Sequence, residues 1–567
     1  MRHRTLALLV CGFFLFSTAA LRAGTPGAEP PADAASAAHA AAAGDPLLEA
    51  LLTELERSKS QLKMEQMQAP YYIEYRVHDV QDFLAEAAFG ALREEQRMHG
   101  RVLHVVVRVG DYKQDSFFGQ GVGETEILPL DNDPIALRHQ IWLATDEAYK
   151  DASEALTAKQ AYMKQFAADA NAVDDFARAT PTTAVGALVP LHADAATWRT
   201  TLEDATNLYR QFPAVQSLSA SARFTVITEY FVNSEGTVTR SGRAAYTVVL
   251  NAATQAGDGM RLARNPYWTV GRPEELPTHD ALLADAKKTL ETLVALREAP
   301  IAEEEYRGPV LFAADAADDM FTSLIGSNVL GQKPNPGRPN RTTGAFATSY
   351  KTRVLPTFLT VVDDPTRKEF QGKSLVGNYD VDSEGVRSQA VIAVEKGILS
   401  NYLLGRQPVR DFPASNGHGR AAPAGTPQPS IGNLFIQTAQ PQSAAALRQQ
   451  MTEMLRAQSK PYGYRVDTLG PGNAPRLLYR VFEKDGREEL IRGAVFSELD
   501  VRTLRNNLIA AGDDPLVSNR GGGIPTTIIS PSVLFDELEV KRADTSKDKL
   551  PDYSPPPLAG RAADVKK

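Results

Sequence analysis

The chain has 567 residues and a net charge of −8 at pH 7, with 43% hydrophobic and 23% charged residues. These values are ordinary for a globular protein, and the negative charge gives no composition-level support for nucleic-acid binding. The length is sufficient for two large domains or about three to four average ones.

The N-terminus has the pattern of a secretory signal. Arg2, His3 and Arg4 precede an apolar run over 6–16, and small residues follow it. This order predicts that residues 1–23 are a cleaved signal peptide and that the mature protein is exported, to the periplasm or outside the cell. The single cysteine lies inside this segment, so the mature chain is expected to form no disulfide. No later segment has eighteen uninterrupted apolar residues, so no membrane span is expected after cleavage.

The next residues predict a tether followed by a folded N-terminal domain. Residues 24–45 are rich in Ala, Pro and Gly and predict a disordered linker. Leucines at helical spacing after Pro46 predict an amphipathic helix, the first element of an α/β domain over 46–302. Apolar patterns at 71–77 and 102–109 predict strands, the second of them buried on both faces.

Sequence patterns in the rest of this domain predict helices around a β-hairpin. A second helix or a strand–helix unit is predicted over 83–98, and further helices over 134–180, 194–211 and 279–297. Residues 223–231 alternate between apolar and polar, and Asn233-Ser234-Glu235-Gly236 follows as a hairpin turn.

Strand patterns dominate the second half of the chain. The short polar stretch 303–307 predicts a boundary, with a β-rich C-terminal domain over 303–540 that contains one helix at 443–458. Residues 541–567 are charged, contain three consecutive prolines and predict a disordered tail. The expected fold class is therefore α+β, with a mixed α/β N-terminal domain and a β-rich C-terminal domain.

Four stretches, in this order, carry a resemblance to a known family. They are the Asn-Ser-Glu-Gly turn at 233–236, Val-Asp-Ser-Glu-Gly-Val-Arg-Ser-Gln at 381–389, Val-Glu-Lys-Gly-Ile-Leu-Ser-Asn-Tyr-Leu at 394–403, and Ile-Gly-Asn-Leu-Phe-Ile at 431–436, with matching ends at 524–526 and 531–538. Each stretch alone is ordinary turn or strand chemistry. Their common order and spacing over 46–540 resemble the TldD/PmbA (TldD/TldE) family of metallopeptidase-related proteins.

The resemblance implies a TldD/PmbA-like fold and two related subunits paired around an internal chamber. In that family, one partner carries a His-Glu-x-x-x-His helix and a cysteine near the C-terminus, and the other carries neither and is considered non-catalytic. Zinc is then expected in a TldD-like partner subunit and no cofactor in this chain. An extended, unfolded peptide is the implied substrate.

The residues at the corresponding positions are not zinc ligands of that kind. A zinc peptidase needs three protein ligands, an open position for water and a base, and paired histidines must share one helix face. The stretch 308–320 contains no histidine and offers only Asp315, Asp318 and Asp319, which are expected to form a solvated helix face. The late cysteine falls near 517–520, where the chain has no thiol.

Weaker candidates for a substrate chamber lie in a glycine-rich segment and the next strand. His418 stands in Asn-Gly-His-Gly-Arg at 416–420, and such loops can line binding chambers, although an ordinary mobile loop is the simpler interpretation. The residues predicted to line the chamber or bind substrate are Asn416, His418, Arg420 and Asn433.

Three functional hypotheses follow. The first is an exported, non-catalytic TldD/PmbA-type subunit that pairs with a zinc-bearing homologue and holds an extended peptide by strand addition. The second is an active metallopeptidase with a divergent metal site that uses carboxylates at 315–319 or His418. The third is a secreted peptide-binding scaffold without proteolytic activity.

Overall fold

The structure, a computed structural model, describes residues 32–166, 172–338, 340–545 and 548; the predicted signal peptide lies outside these ranges. The elements of the first half are α1 (Ala32–Ala42), α2 (Pro46–Gln61), β1 (Tyr72–Ala88), β2 (Ala91–Arg108), β3 (Glu124–Leu128), α3 (Pro134–Met163), β4 (Thr183–Val185), α4 (Ala195–Asn207), β5 (Ser217–Asn233), β6 (Val238–Gln255), β7 (Arg261–Arg264), β8 (Tyr267–Val270) and α5 (His279–Glu298).

The described part of the second half contains three α-helices and many strands. They are β9 (Glu305–Phe312), α6 (Ala314–Phe321), β10 (Leu359–Asp363), β11 (Glu369–Phe370), β12 (Lys373–Ser374), β13 (Val391–Glu395), β14 (Ile398–Leu399), β15 (Gly419–Arg420), β16 (Gln428–Pro429), β17 (Asn433–Thr438), β18 (Pro441–Gln442), α7 (Ala444–Ala457), β19 (Tyr462–Leu469), β20 (Pro475–Phe482), β21 (Glu488–Ile491), β22 (Ala494–Phe496), α8 (Val501–Asn507), β23 (Leu508–Gly512), β24 (Leu516–Arg520), β25 (Thr526–Ser530) and β26 (Val533–Arg542).

One large sheet organises the first half. Its order is β3-β2-β1-β5-β6-β4, and β7 and β8 also pair with β6. Because strand side chains alternate between faces, Tyr75, Val77 and Phe83 of β1 face the helical layer. Helices α2 and α3 cover one end of this face, and α4 and α5 cover the other. The alternate residues Arg76 and His78 are buried on the opposite face, towards the second half of the chain.

Two predicted elements in this half are wrong. Residues 83–98 belong to β1 and β2, with Phe83 opposite Arg97, and not to a helix. The alternation of β1 is clear, but the start of β2 is polar and largely exposed, and this hid its strand character. Part of the predicted disordered linker is also ordered: α1 is rich in alanine, the best helix former, and its Ala42 packs into the core beside α2.

The second half builds two large sheets around a shared apolar core. One has the order β14-β13-β10-β17-β25-β24, and the other β18-β23-β26-β9-β19-β20-β21, with β22 paired to β26. Helix α6 packs against β19, β24 and β25, and α7 packs on the second sheet through its own apolar cluster. Lys541 and Arg542, predicted to begin a disordered tail, complete β26 instead, because they pair with β9 or β22.

Arg406 connects the two halves where two of the family-like turns meet. Its backbone N–H donates to Glu384 Oε2 at 2.6 Å, and its Nη2 lies 2.8 Å from a carboxylate oxygen of Glu235. Glu235 belongs to the hairpin turn between β5 and β6, and Glu384 to the turn at 381–389. The predicted α+β fold, with a mixed first half and a β-rich second half, is confirmed. In the part of the chain that the structure describes, no helix is both long and apolar enough to span a membrane.

Candidate functional site

The two stretches where the resemblance would place zinc ligands are in direct contact. Asp318 on α6 is 1% exposed, and its Oδ2 accepts a hydrogen bond from Arg520 Nη2 of β24 at 2.7 Å. The same Nη2 lies 2.8 Å from Asp319 Oδ1. A guanidinium therefore joins two carboxylates from one helix. The prediction of a solvated face is wrong for Asp318, because packing against β24 and β25 buries it.

The carboxyl groups of this cluster outnumber the one arginine that is hydrogen-bonded to them. Burial raises the pKa of Asp318 to about 7 although Arg520 opposes the shift. Desolvation by surrounding atoms and the charge of Asp319 raise the pKa of Asp315 to about 6. Ser518 contacts both Asp318 and Tyr267, whose Oη lies 3.2 Å from the Ser518 Oγ. The pKa values of Asp315 and Asp318 are thus raised towards neutral pH.

The cluster does not fit a zinc ion. Zinc prefers thiolate and imidazole ligands with an open fourth position, whereas the groups here are carboxyls already bonded to a guanidinium. Within the described ranges, no group of three or more His, Cys, Asp or Glu side chains is arranged to hold a metal ion. Helix α6 continues into a π-helical turn at Thr322–Gly326, a distortion that is frequent at functional sites.

A cavity of about 440 Å³ lies between the first sheet and the second half of the chain. Its floor is the face of β5 and β6 that is not covered by helices. Its other walls come from segments between residues 368 and 383, from Arg420, and from Val189, Gly271 and Arg272. Such a concave space between two parts of a chain is a common position for a ligand site.

Charged side chains of both halves converge on this cavity. Glu229 of β5 is bonded by His78 Nε2 at 2.8 Å and by Ser383 Oγ at 3.0 Å, and Arg243 Nη1 lies 3.8 Å from it. Despite burial, these partners lower the pKa of Glu229 to about 2, whereas burial lowers the pKa of His78. Glu229 is therefore a fixed negative charge at the cavity wall.

Of the four residues predicted to line a chamber, Arg420 lines this cavity. His418 is fully buried behind it, with Nε2 3.1 Å from Asp363 Oδ1 and Nδ1 3.0 Å from Asn416 Oδ1. Asn433 is also fully buried, and its Nδ2 donates to the backbone carbonyls of residues 364 and 367.

These contacts fix the backbone around the cavity. The side-chain amide of Asn416 also holds this backbone in place, because it is hydrogen-bonded to the backbone of residues 402 and 404. The burial of His418 differs from the mobile loop expected for its glycine-rich sequence, because its ring bonds a buried carboxylate. A role of these residues in substrate binding stays a prediction.

Sequence reasoning missed Glu229, Arg243 and Arg520 as members of charged clusters. The alternation of β5 was the available signal for Glu229, since it places this residue on the face opposite to Phe224. Arg520 and Asp318 are 202 positions apart, so only the tertiary structure pairs them.

The fold combines a helix-backed antiparallel sheet with a β-rich second half whose apolar core includes α6. Residues 305–542 match the family model described as the PmbA/TldA metallopeptidase C-terminal domain. The C-terminal domain of this chain belongs to the TldD/PmbA family.

Individual relatives match over limited stretches. The metalloprotease PmbA of Escherichia coli O157:H7 is 28% identical over 176 residues, which are 31% of this chain and 35% of that protein. A metalloprotease of Methanothermobacter thermautotrophicus is 21% identical over 207 residues, 36% of this chain and 43% of that protein. The chain thus matches less than half the length of these relatives.

Solved structures match over most of the fold. TldE from Thermococcus kodakarensis superposes with a TM-score of 0.55 at 13% identity, covering 87% of this chain and 100% of that one. A Thermotoga maritima protein described as a candidate modulator of a DNA gyrase gives a TM-score of 0.59 at 15% identity, covering 86% and 99%. At these identities the likeness establishes the fold.

Proposed function

We propose that this protein is an exported, non-catalytic subunit of a heteromeric zinc peptidase that acts on unfolded peptides. A zinc-bearing TldD-like homologue supplies the catalytic metal, and this chain completes the chamber and holds the peptide. The basic, apolar and small-residue order of the N-terminus supports export to the periplasm or beyond.

The observation that carries the proposal is the Asp318–Arg520 pair. It lies where α6 and β24 meet, the two elements in which the family resemblance places the zinc ligands of the catalytic partner. A guanidinium bonded to two carboxylates supplies a fixed cation there, and none of the three side chains is a thiolate or an imidazole. This chain therefore keeps the scaffold of the site without its ligand chemistry.

The test is reconstitution with a homologue that carries the His-Glu-x-x-x-His motif. The full chain is purified alone, the homologue alone, and the two after co-expression, and each sample is assayed for zinc and for cleavage of an unfolded peptide. We expect a stable complex whose zinc and activity depend on the partner. Failure to form a complex, or no gain in cleavage when the chains are combined, would overturn the proposal.

Matched variants assign the chemistry to one subunit. Replacing the two motif histidines of the partner should abolish cleavage by the complex. The double substitution Asp315→Asn with Asp319→Asn in this chain leaves the buried Asp318–Arg520 bond in place and should retain at least half of the activity.

A second candidate, an active metallopeptidase with a divergent site, is favoured by one observation. The pKa of Asp315 is raised to about 6 and that of Asp318 to about 7, and such values suit acid–base catalysis near neutral pH. If this second function is correct, the isolated chain cleaves peptides and a chelator inhibits the cleavage. The variant with Asp315→Asn and Asp319→Asn then loses this activity.

A further inference from the structure

The cavity between the two halves contains a buried arginine that lies over the ring of Tyr379, at 4.7 Å from its centre, but has no carboxylate in contact with it in the described part of the chain. Arg420 is 5% exposed, and its Nη1 donates to the carbonyl oxygens of Ile431 at 2.8 Å and Pro525 at 2.7 Å. Its Nε and Nη2 donate to no group in the described part of the chain, where it also has no ion pair. A buried guanidinium without a carboxylate is costly, and proteins rarely retain one without a partner.

A second arginine of the same cavity is also incompletely bonded. Arg243 on β6 has a buried Nε without a hydrogen-bond partner, and its Nη2 reaches the Gly523 carbonyl only at 3.4 Å. Its nearest carboxylate, Glu229, lies 3.8 Å away and is already bonded by His78 and Ser383. Two arginines thus face one cavity with unused donors.

The electrostatics agree with this geometry. Burial lowers the pKa of Arg420 to about 10, and the neighbouring charge of Arg243 acts in the same direction. Burial also lowers the pKa of Arg243. Each guanidinium would therefore be stabilised by an anion placed between or beside them.

We propose that Arg243 and Arg420 form a carboxylate-binding subsite that anchors an acidic group of a peptide, either its C-terminal carboxylate or an Asp or Glu side chain. The planar fork of an arginine matches the two oxygens of a carboxylate, and charge-assisted bonds of this kind are short and strong. Glu229 at the same wall disfavours a second negative charge on the ligand, so a singly charged carboxylate fits better than a doubly charged phosphate.

The subsite for a carboxylate stands independently of any partner subunit; only the identification of its ligand as a peptide rests on the proposed function. Peptide backbone would then lie along the cavity floor, where β5 and β6 present their uncovered face. The anchor would fix the position of the peptide relative to a catalytic partner.

The experiment is calorimetric titration of the intact chain, without a partner, with four probes. These are an acidic-residue-free hexapeptide with a free C-terminal carboxylate, its C-terminal amide, acetate and inorganic phosphate. We expect the free peptide to bind at least about tenfold more tightly than the amide, the ratio given by one charge-assisted bond. Acetate should compete with it, and phosphate should bind more weakly than acetate.

Variants locate the binding. Arg243→Gln should weaken binding of the free peptide by about tenfold or more and reduce its preference over the amide. Arg223→Gln is the matched control, because it removes one positive charge from the neighbouring strand β5, where Arg223 is largely exposed and bonds Asp82 outside the cavity. Arg420→Lys keeps the charge and loses the fork, and its fold is checked by circular dichroism before titration.

The outcomes separate the two proposals. Equal affinities for peptide and amide together with no binding of acetate, equal effects of Arg243→Gln and Arg223→Gln, or tighter binding of phosphate would each overturn the carboxylate subsite. Binding of acetate without binding of the peptide would support the subsite and contradict its use for peptides. A chain that binds the peptide as expected but forms no complex with a zinc-bearing homologue would refute the proposed subunit role alone.

Discussion

Arg406 and Arg520 both join distant parts of the chain through carboxylates, but their surroundings differ. Arg406 is fully buried, donates twice to the Ala177 carbonyl and once to Tyr72, and lies over the Phe176 ring at 4.0 Å. Its ion pair with Glu235 completes a set of contacts from both halves. Such a fully bonded arginine acts as a structural joint.

Arg520 has fewer bonds and more acid around it. Its side chain is 29% exposed, its Nε has no hydrogen-bond partner, and a single Nη2 serves Asp318 and Asp319. Because Asp318 keeps a raised pKa even in this contact, the cluster is poised to gain or lose a proton near neutral pH. The difference teaches that ion pairs between distant segments can serve rigidity in one place and leave a proton-sensitive site in another.

The largest expected effect on stability comes from removing Arg406, the arginine that joins the two halves of the chain. Arg406→Met should lower the free energy of unfolding by about 3–5 kcal/mol, because it leaves buried carboxyl and carbonyl oxygens without their donor. Urea denaturation followed by circular dichroism measures the loss. Arg448→Met, which removes an exposed arginine paired with Glu488, is the control and should cost less than about 1 kcal/mol. Similar losses for the two variants would show that Arg406 is not a joint.

The fold followed from local patterns wherever one face of an element is apolar. The leucines of α2 and the alternation of β5 are examples, because each places its apolar residues on one buried face. The start of β2 is a counterexample: it pairs with β1 but is exposed on both sides, so pairing and not burial makes it a strand. Alanine composition likewise predicted a tether where α1 packs on α2.

The candidate site was predictable only in part. The resemblance identified both stretches that meet at Asp318 and Arg520, but a helix and a strand 202 positions apart show no periodicity that would reveal their contact. Arg420 was selected with His418 from one glycine-rich segment, yet one lines the cavity and the other bonds Asp363 behind it. Neighbours in sequence were separated by the tertiary fold, and distant residues were joined by it.

The next effect tests the proton sensitivity of the Arg520 cluster. Because the pKa of Asp318 is about 7 in the folded state and about 4 in an unfolded chain, the folded state binds its proton more tightly. The free energy of unfolding should therefore fall as pH rises from about 4 to about 7, by on the order of 3 kcal/mol from this group, and then level off.

Asp318→Asn should remove that fall, and denaturation midpoints measured from pH 4 to 8 compare it with the parent chain. Asp319→Asn, which alters the less buried neighbour, is the control and should keep the fall. Parallel profiles for Asp318→Asn and the parent would contradict a raised pKa at Asp318.

The smallest expected effect on stability comes from an exposed ion pair within a single helix. Lys150 Nζ lies 2.5 Å from Asp146 Oδ2 one turn earlier on α3, with side chains 48% and 36% exposed. Water and salt screen such a pair, so Lys150→Gln should lower the free energy of unfolding by less than about 0.5 kcal/mol, and 1 M salt should abolish even this difference. A double-mutant cycle with Asp146→Asn isolates the pair. A coupling as large as the Arg406 effect would mean that the distance between charges, and not their burial, determines what an ion pair contributes in this protein.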